Sequence, residues 1–261
     1  MVPEADYKKR FDIFICGGSQ HVTMLQPLLA KLQPFGTIHL ASSFLTDDDL
    51  RQLHGRFDVL HTPRHSPDGY SNFELFSIRD INRLATAPYF VKLDADIELD
   101  DDWIAYVEEC LAASPDAVLF GPRQGNREVT MELSGGMVRE LLGQEIRVAG
   151  APKVIGGFYV GKTTFFRDNA RFMELAHELL WCFKDGVRCR PSPYPQHWPA
   201  RLRRKTLRII GDAEPFRAPG NEDTLRSLVV HALGAGDRLH VFDSMGRIRI
   251  YRASERHAQA R

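Results

Sequence analysis

Four cysteines in 261 residues are too few and too scattered to make a disulfide scaffold; they stand at 16, 110, 182 and 189, without the CxxC spacing of a structural metal site. Net charge is missing too. The 34 Lys+Arg balance the 34 Asp+Glu, which excludes a general nucleic-acid binder, since such proteins carry a basic excess. No apolar run approaches the ~20 residues of a membrane span, and there is neither an internal repeat nor a low-complexity linker. Residues Met1 to Arg10 are polar and charged, unlike a secretory signal. These absences predict a cytoplasmic protein with no nucleic-acid partner and no transmembrane segment.

What is present is ordinary in bulk and uneven in place. An apolar fraction of 43% with 26% charged residues is that of a globular domain, and the length allows one sizeable core. The charge is segregated. Six of the nine residues 94–102 are acidic, whereas residues 181–210 hold eight basic residues against Asp185 alone.

The first 120 residues alternate two periodicities. Short apolar runs at Phe11–Cys16, Thr37–Ala41, Phe57–His61, Tyr89–Leu93 and Asp116–Phe120 predict strands. Between them, residues 23–33, 47–54, 73–85 and 102–113 carry helical spacing, with Pro27 tolerable only in a first turn and Thr46 placed to cap Asp47, Asp48 and Asp49. This order predicts an α/β domain with a mostly parallel sheet flanked by helices. Ligands of such sheets bind beyond the carboxyl ends of the strands. Cys16–Ser19, Ser42–Ser43, Thr62–Arg64 and Asp94–Asp96 therefore share one rim. The second half is less regular: a glycine-interrupted run at 154–160, a helix at 165–183, a proline-rich loop at 190–200, a strand at 207–210 and a helix capped by Asn221. Leu239–Phe242 and Arg247–Tyr251 flank a turn and predict a hairpin.

Asp94-Ala95-Asp96 follows a buried-type strand, and alternation along an extended chain points both carboxylates to one side. Two close carboxylates repel unless a cation sits between them. A divalent ion, with water and phosphate completing its shell, answers that need; acids simply facing solvent at a strand end are the plainer alternative. Glu98 and Asp100–Asp102 precede a helix at Trp103 and read as capping and dipole complementation.

The segment Ala85-Thr86-Ala87-Pro88-Tyr89-Phe90-Val91-Lys92-Leu93-Asp94-Ala95-Asp96 resembles the lead into the DxD motif of GT-A-fold nucleotide-sugar glycosyltransferases, the family-2-like group in particular, with Arg79-Asp80 where that group commonly has Arg-Asn. The resemblance implies one GT-A-like domain over residues 1–261. Its nucleotide-sugar half spans about 11–120, its acceptor half about 121–252, and 253–261 form a tail. It further implies that Asp94 lies against ribose and metal, that Asp96 ligates Mn²⁺ or Mg²⁺, and that Arg79 contacts base or phosphate. Gly17, Gly18 and Ser19 would let the base approach the backbone, although the group's usual Pro-Thr-aromatic-Asn is absent there.

Inverting sugar transfer needs a base on the acceptor hydroxyl. Pro219-Gly220-Asn221-Glu222-Asp223 matches the family's Glu-Asp pair after a glycine-containing loop, which makes Asp223 the base and Glu222 an acceptor contact; ordinary helix capping by two acids is the alternative. Gly156 and Gly157, in Ile155-Gly156-Gly157-Phe158-Tyr159, resemble the segment lining the donor sugar. His240 is the candidate third metal ligand, with His231 and His257 competing. His61 and His65 flank Pro63 and are assigned no metal. Trp198, Arg203 and Arg204, in the basic stretch, would face acceptor or phosphate.

The resemblance thus implies a transferase using a nucleoside-diphosphate sugar, a UDP-sugar, and a small-molecule or glycan acceptor. Two rivals come from the same residues. A haloacid-dehalogenase-like phosphohydrolase also places Asp-x-Asp after a strand, but some ninety residues of β-α structure precede the motif here. A non-catalytic nucleotide- or carbohydrate-binding module would hold its ligand unchanged.

Overall fold

The computed structural model describes residues 10–18, 22–61, 76–123, 128–133, 136–154, 157–183, 222–243 and 247–250. Its centre is a seven-stranded sheet in the order β10-β6-β9-β4-β1-β2-β3. The strands are β1 (Phe11–Gly18), β2 (Thr37–Phe44), β3 (Val59–His61), β4 (Tyr89–Asp94), β6 (Leu119–Pro122), β9 (Phe158–Lys162) and β10 (Leu239–Phe242). Every neighbouring pair is parallel except at β9, which runs antiparallel to both β4 and β6. The fold class is the expected one: α/β, with a mostly parallel sheet between helices.

Why β1 reads as a nearly continuous apolar run is visible in its two sides. Phe11, Ile13 and Ile15 pack with Leu25, Leu29 and Leu32 of helix α1 (Val22–Leu32), whereas Phe14 and Cys16 join a second cluster with Phe76, Phe90 and Tyr159. A parallel strand covered on both faces has no polar side to show. Pro27 lies inside α1, past its first turn, where it removes one helical hydrogen bond.

The other helices are α2 (Asp47–Gln52), α3 (Ile81–Leu84), α4 (Trp103–Ala113), α5 (Gly136–Leu142), α6 (Thr163–Asp168), α7 (Ala170–Phe183) and α8 (Glu222–Ala232). Thr46 caps α2 as its sequence predicts: its hydroxyl accepts from Asp49 N–H at 3.2 Å, and the Asp49 carboxylate accepts from Thr46 N–H at 2.8 Å. Asp102 stands at the N-cap of α4 without a side-chain capping bond. Instead Asp101 pairs with Lys31 at 2.9 Å, which ties the acidic run 94–102 to α1 and holds the Asp101 carboxyl below its ordinary value.

Three expectations need correction. The helix expected over 73–85 begins, among the described residues, as a π-helical turn (Phe76–Asp80) that runs into α3. The helix expected over 165–183 is two, α6 and α7, parted at Asn169. The hairpin does not form: β10 pairs with β6 in parallel, and β11 (Ile248–Ile250) pairs with β5 (Ile97–Leu99). A further antiparallel pair, β7 (Glu128–Leu133) with β8 (Ile146–Pro152), was not foreseen. Among the described residues no helix is long and apolar enough to cross a membrane.

Gly161 in β9 shows how tightly the sheet is covered. A Cβ there would stand 2.3 Å from Phe90 Cζ, and Phe90 is itself wedged by Phe14, Tyr159 and Phe166. Gly161→Ala is expected to destabilise the fold by about 2–3 kcal/mol through overpacking, read as a lower denaturant midpoint at unchanged slope.

Candidate active site

Register sets the site. Asp94 on β4 pairs with Cys16 on β1, Cys16 with Ala41 on β2, and Ala41 with His61 on β3. Paired residues share a face, so these four form one row at the carboxyl edge of four parallel strands. One pleat further in, the row is Lys92, Phe14, His39 and Val59.

Asp94 ends β4, and Ala95 and Asp96 turn away from the strand. The extended alternation expected of the Asp-Ala-Asp run therefore stops at its first residue, and Ala95 N–H donates to the Cys16 carbonyl at 3.1 Å. The Asp94 side chain is 40% exposed, while Asp96 is buried. Lys92, missed by the sequence reading, is buried and donates from Nζ to Asp94 Oδ1 at 2.5 Å. Its ammonium also lies 5.8 Å from the centre of the Tyr159 ring, a favourable place for a cation.

The Gly-Gly segment reaches the same edge. The Gly157 carbonyl accepts from Asp94 N–H at 2.8 Å, and Gly17 and Gly18 end β1 beside it with a register shift between them. Arg79 closes the π-helical turn, where its Nε donates to Asp80 Oδ1 at 2.5 Å. Glu222 and Asp223 open α8, and only their backbone is described. That helix is fastened beside the glycine segment: Lys153 Nζ donates to the Thr224 hydroxyl at 2.9 Å, and Val154 N–H donates to Ser227 Oγ at 3.1 Å. Ser19, Gly156, Trp198, Arg203, Arg204 and the strand expected at 207–210 lie outside the described residues, as does Asn221.

His240 pairs with Phe120, which pairs with Val160, which pairs with Val91. That chain puts its side chain on the sheet face opposite Lys92 and Asp94, stacked with Phe242 at 5.9 Å. Register keeps it three strands away from Asp94, and Asp96 lies past the end of β4. Among the described residues no three His, Cys, Asp or Glu side chains assemble as a metal cluster. Asp94 and Asp96 still offer the hard carboxylate oxygens that Mg²⁺ and Mn²⁺ prefer, and such ions take water and phosphate for the remaining positions. The donor set fits as a partial shell.

Histidines assigned no role form a second polar thread. His39 Nδ1 lies 3.0 Å from His61 Nε2 with the rings stacked, and His39 Nε2 lies 3.5 Å from Asp12 Oδ1. Asp12 Oδ2 accepts from Thr86 and Ala87 N–H, at 2.5 and 2.8 Å. Burial pushes the Asp12 carboxyl up, but His39 and the two N–H groups outweigh it and hold it below its ordinary 3.8. Burial, then the His39 charge, push His61 down against the pull of Asp80.

Asp12→Ala orphans two N–H groups and is expected to cost roughly 3 kcal/mol at pH 7. The sign follows from the depressed carboxyl. Its contribution is complete above the ordinary value of 3.8 and is lost as pH falls through the lower folded value. Denaturant titrations of wild type and variant should therefore differ most at pH 7 and less at the acid end, where the protonated carboxyl keeps only its neutral hydrogen bonds.

No protein-family model matches the sequence, and no curated protein matches it. Among the solved structures that the chain resembles are glycosyltransferases of the GT-A type. Mouse xyloside xylosyltransferase 1 in its apo form is 13% identical, with a TM-score of 0.46 over 90% of this chain and 84% of that one. Glucosyl-3-phosphoglycerate synthase from Mycobacterium tuberculosis, in complex with Mn²⁺, UDP-glucose and phosphoglyceric acid, is 10% identical, with a TM-score of 0.45 over 98% and 77%. TarS from S. aureus is 12% identical, with a TM-score of 0.40 over 61% and 49%, so the match spans about half of that chain. Likenesses this distant assign no activity.

Proposed function

We propose that the chain is a glycosyltransferase that moves a sugar from a nucleoside-diphosphate donor, a UDP-sugar, to an acceptor hydroxyl with inversion. One observation carries this reading: the Asp94 N–H to Gly157 carbonyl bond at 2.8 Å joins the Asp-x-Asp strand to the Gly-Gly segment at the sheet's carboxyl edge, on the face that α8 covers. That bond joins two segments of the resemblance that lie some sixty residues apart in the chain.

In this reading the donor lies across Gly17, Gly18 and Ser19, with Arg79 at its base or phosphates and Gly156 and Gly157 along its sugar. Asp94 and Asp96 hold Mn²⁺ or Mg²⁺. When bound, that ion neutralises charge on the leaving diphosphate. His240 is left out of the metal shell because of the face it occupies. Asp223 takes the proton of the attacking hydroxyl, Glu222 orients the acceptor, and Trp198, Arg203 and Arg204 border acceptor or phosphate. Placement of nucleophile and donor in one cleft supplies the entropic part of the acceleration.

The test is a thermal-shift panel of nucleoside diphosphates and UDP-glucose, UDP-galactose, UDP-N-acetylglucosamine and UDP-xylose, each with and without Mn²⁺. A ligand at 100 times its Kd adds about 2.7 kcal/mol of stability, so a Mn²⁺-dependent rise with uridine ligands is expected. A flat panel, or turnover of p-nitrophenyl phosphate without any nucleotide, overturns the reading.

A further inference from the structure

Arg226 is completely buried in α8. Its Nε donates to the Tyr159 hydroxyl at 2.9 Å, one terminal nitrogen donates to Asn82 Oδ1 at 2.8 Å, and the other donates to the Ser77 carbonyl. Three rings enclose it, with the guanidinium carbon 4.7 Å from the centre of Phe166, 4.9 Å from Phe90 and 5.5 Å from Tyr159. Among the described residues no carboxylate lies within ion-pair distance. An arginine does not shed its proton in a protein, so the charge stays, and a buried charge is costly beside a well-packed apolar side chain. An apolar residue would fill this space more cheaply. What it lacks is three directional donors aimed at separate elements.

Those elements are the ones the proposed site depends on. Ser77 lies in the π-helical turn that ends in Arg79-Asp80, and Asn82 lies in the helix that follows, where its Nδ2 donates to the Ile78 carbonyl at 2.6 Å. Tyr159 follows the Gly-Gly-Phe segment and carries on its ring the ammonium of Lys92, which holds Asp94. Arg226 itself sits one turn after Glu222 and Asp223 in α8. π-Helical turns are enriched at functional sites, and here the widened turn gives its Ser77 carbonyl to the guanidinium.

We propose that Arg226 is a positioning residue that fixes the start of α8, and with it the acceptor-activating acids, against the donor-binding edge. This rests on the glycosyltransferase reading. Its effect is on the geometry of transfer rather than on donor affinity, because its partners orient elements and none of its donors faces the rim.

The experiment uses the full chain, with Arg226→Lys, Arg226→Met, Tyr159→Phe and the double variant Tyr159→Phe/Arg226→Met. Binding of UDP with Mn²⁺ is measured by calorimetry, and kcat by UDP release, with water accepting the sugar, from whichever UDP-sugar named above the wild type hydrolyses fastest. Arg226→Lys is expected to keep the UDP Kd within threefold and to lose at least thirtyfold in kcat. Tyr159→Phe is expected to lower kcat about tenfold alone and less than twofold in the Arg226→Met background. The proposal is overturned if Arg226→Lys keeps kcat within threefold, if kcat and UDP affinity fall together, or if the two substitutions act independently. A wild-type chain that neither binds UDP nor releases it overturns the glycosyltransferase reading instead, so the two failures are told apart.

Discussion

Asp223→Asn is expected to lower kcat for sugar transfer by about 10²–10⁴-fold, the range that a positioned general base contributes, while UDP binding with Mn²⁺ stays within twofold. Asparagine keeps the shape and the dipole-side hydrogen bonding of aspartate at a helix start but has no charge to accept a proton. The residue opens α8, whose position is set from inside the fold by Thr224, Arg226 and Ser227, so the substitution leaves the supporting contacts in place. Loss at the base leaves the donor half of the cleft as it was. Glu222→Gln is expected to raise KM for the acceptor more than it lowers kcat. Steady-state kinetics with matched calorimetry separate these outcomes, and near-wild-type transfer by Asp223→Asn would remove the residue from the mechanism.

Asp96→Ala is expected to abolish the enhancement of UDP affinity by Mn²⁺. The loss should reach at least the roughly 10–100-fold that follows from removing even an outer-shell partner of a metal. Titration of UDP with and without Mn²⁺ reads this directly, and metal-independent UDP binding should persist. Asp94→Ala has a second consequence that distinguishes it. It removes the carboxylate that the buried Lys92 meets at 2.5 Å, and breaking such a pair destabilises by about 3 kcal/mol, the low end of the range for buried pairs because Asp94 is partly exposed. Asp94→Ala should therefore lower both Tm and metal-linked affinity. Unchanged Mn²⁺ linkage in Asp96→Ala would remove it from the metal shell.

The parallel strands were legible because burial on both faces writes itself as short, nearly unbroken apolar runs. β4 and the Asp94 that ends it follow directly from Tyr89–Leu93. The polar exceptions inside such runs were the overlooked signal. Asp12, His39 and Lys92 each interrupt a buried strand, and a charge in that position requires a partner. Their partners stand on other strands or on the same strand two residues away, and register, which decides who meets whom, is not written in any one segment. The hairpin failed for a related reason. Residues 243–246 look like a turn between two strands, but β10 gains a place beside β6 and β11 a place beside β5, and those long-range pairings outweigh a local turn signal. β5 offers only Ile-Glu-Leu, and β8 loses its pattern in Ala-Gly-Ala-Pro, so neither stands out, whereas the Glu-Val-Thr-Met-Glu-Leu alternation of β7 was a legible signal that went unread. Arg226 hid inside an otherwise amphipathic helix, where an arginine ordinarily reads as a solvated face.

The insertion of β9 between β4 and β6 has a consequence for the order in which the chain is assembled. β1 to β4 are all present once residue 94 has left the ribosome, and they can pair with one another in the order β4-β1-β2-β3, leaving only the outer edge of β4 to wait for β9. β6 has no such partner at hand. Its neighbours are β9, about forty residues later, and β10, about 120 residues later, so its edges stay open while the intervening chain is made. Contacts of such long sequence separation are slow to close, and exposed strand edges are where partly folded chains associate. The half of the sheet that holds β6, β9 and β10 is therefore the last to be completed, and conditions that slow its closure should favour aggregation of nascent chains in which β1 to β4 are already paired.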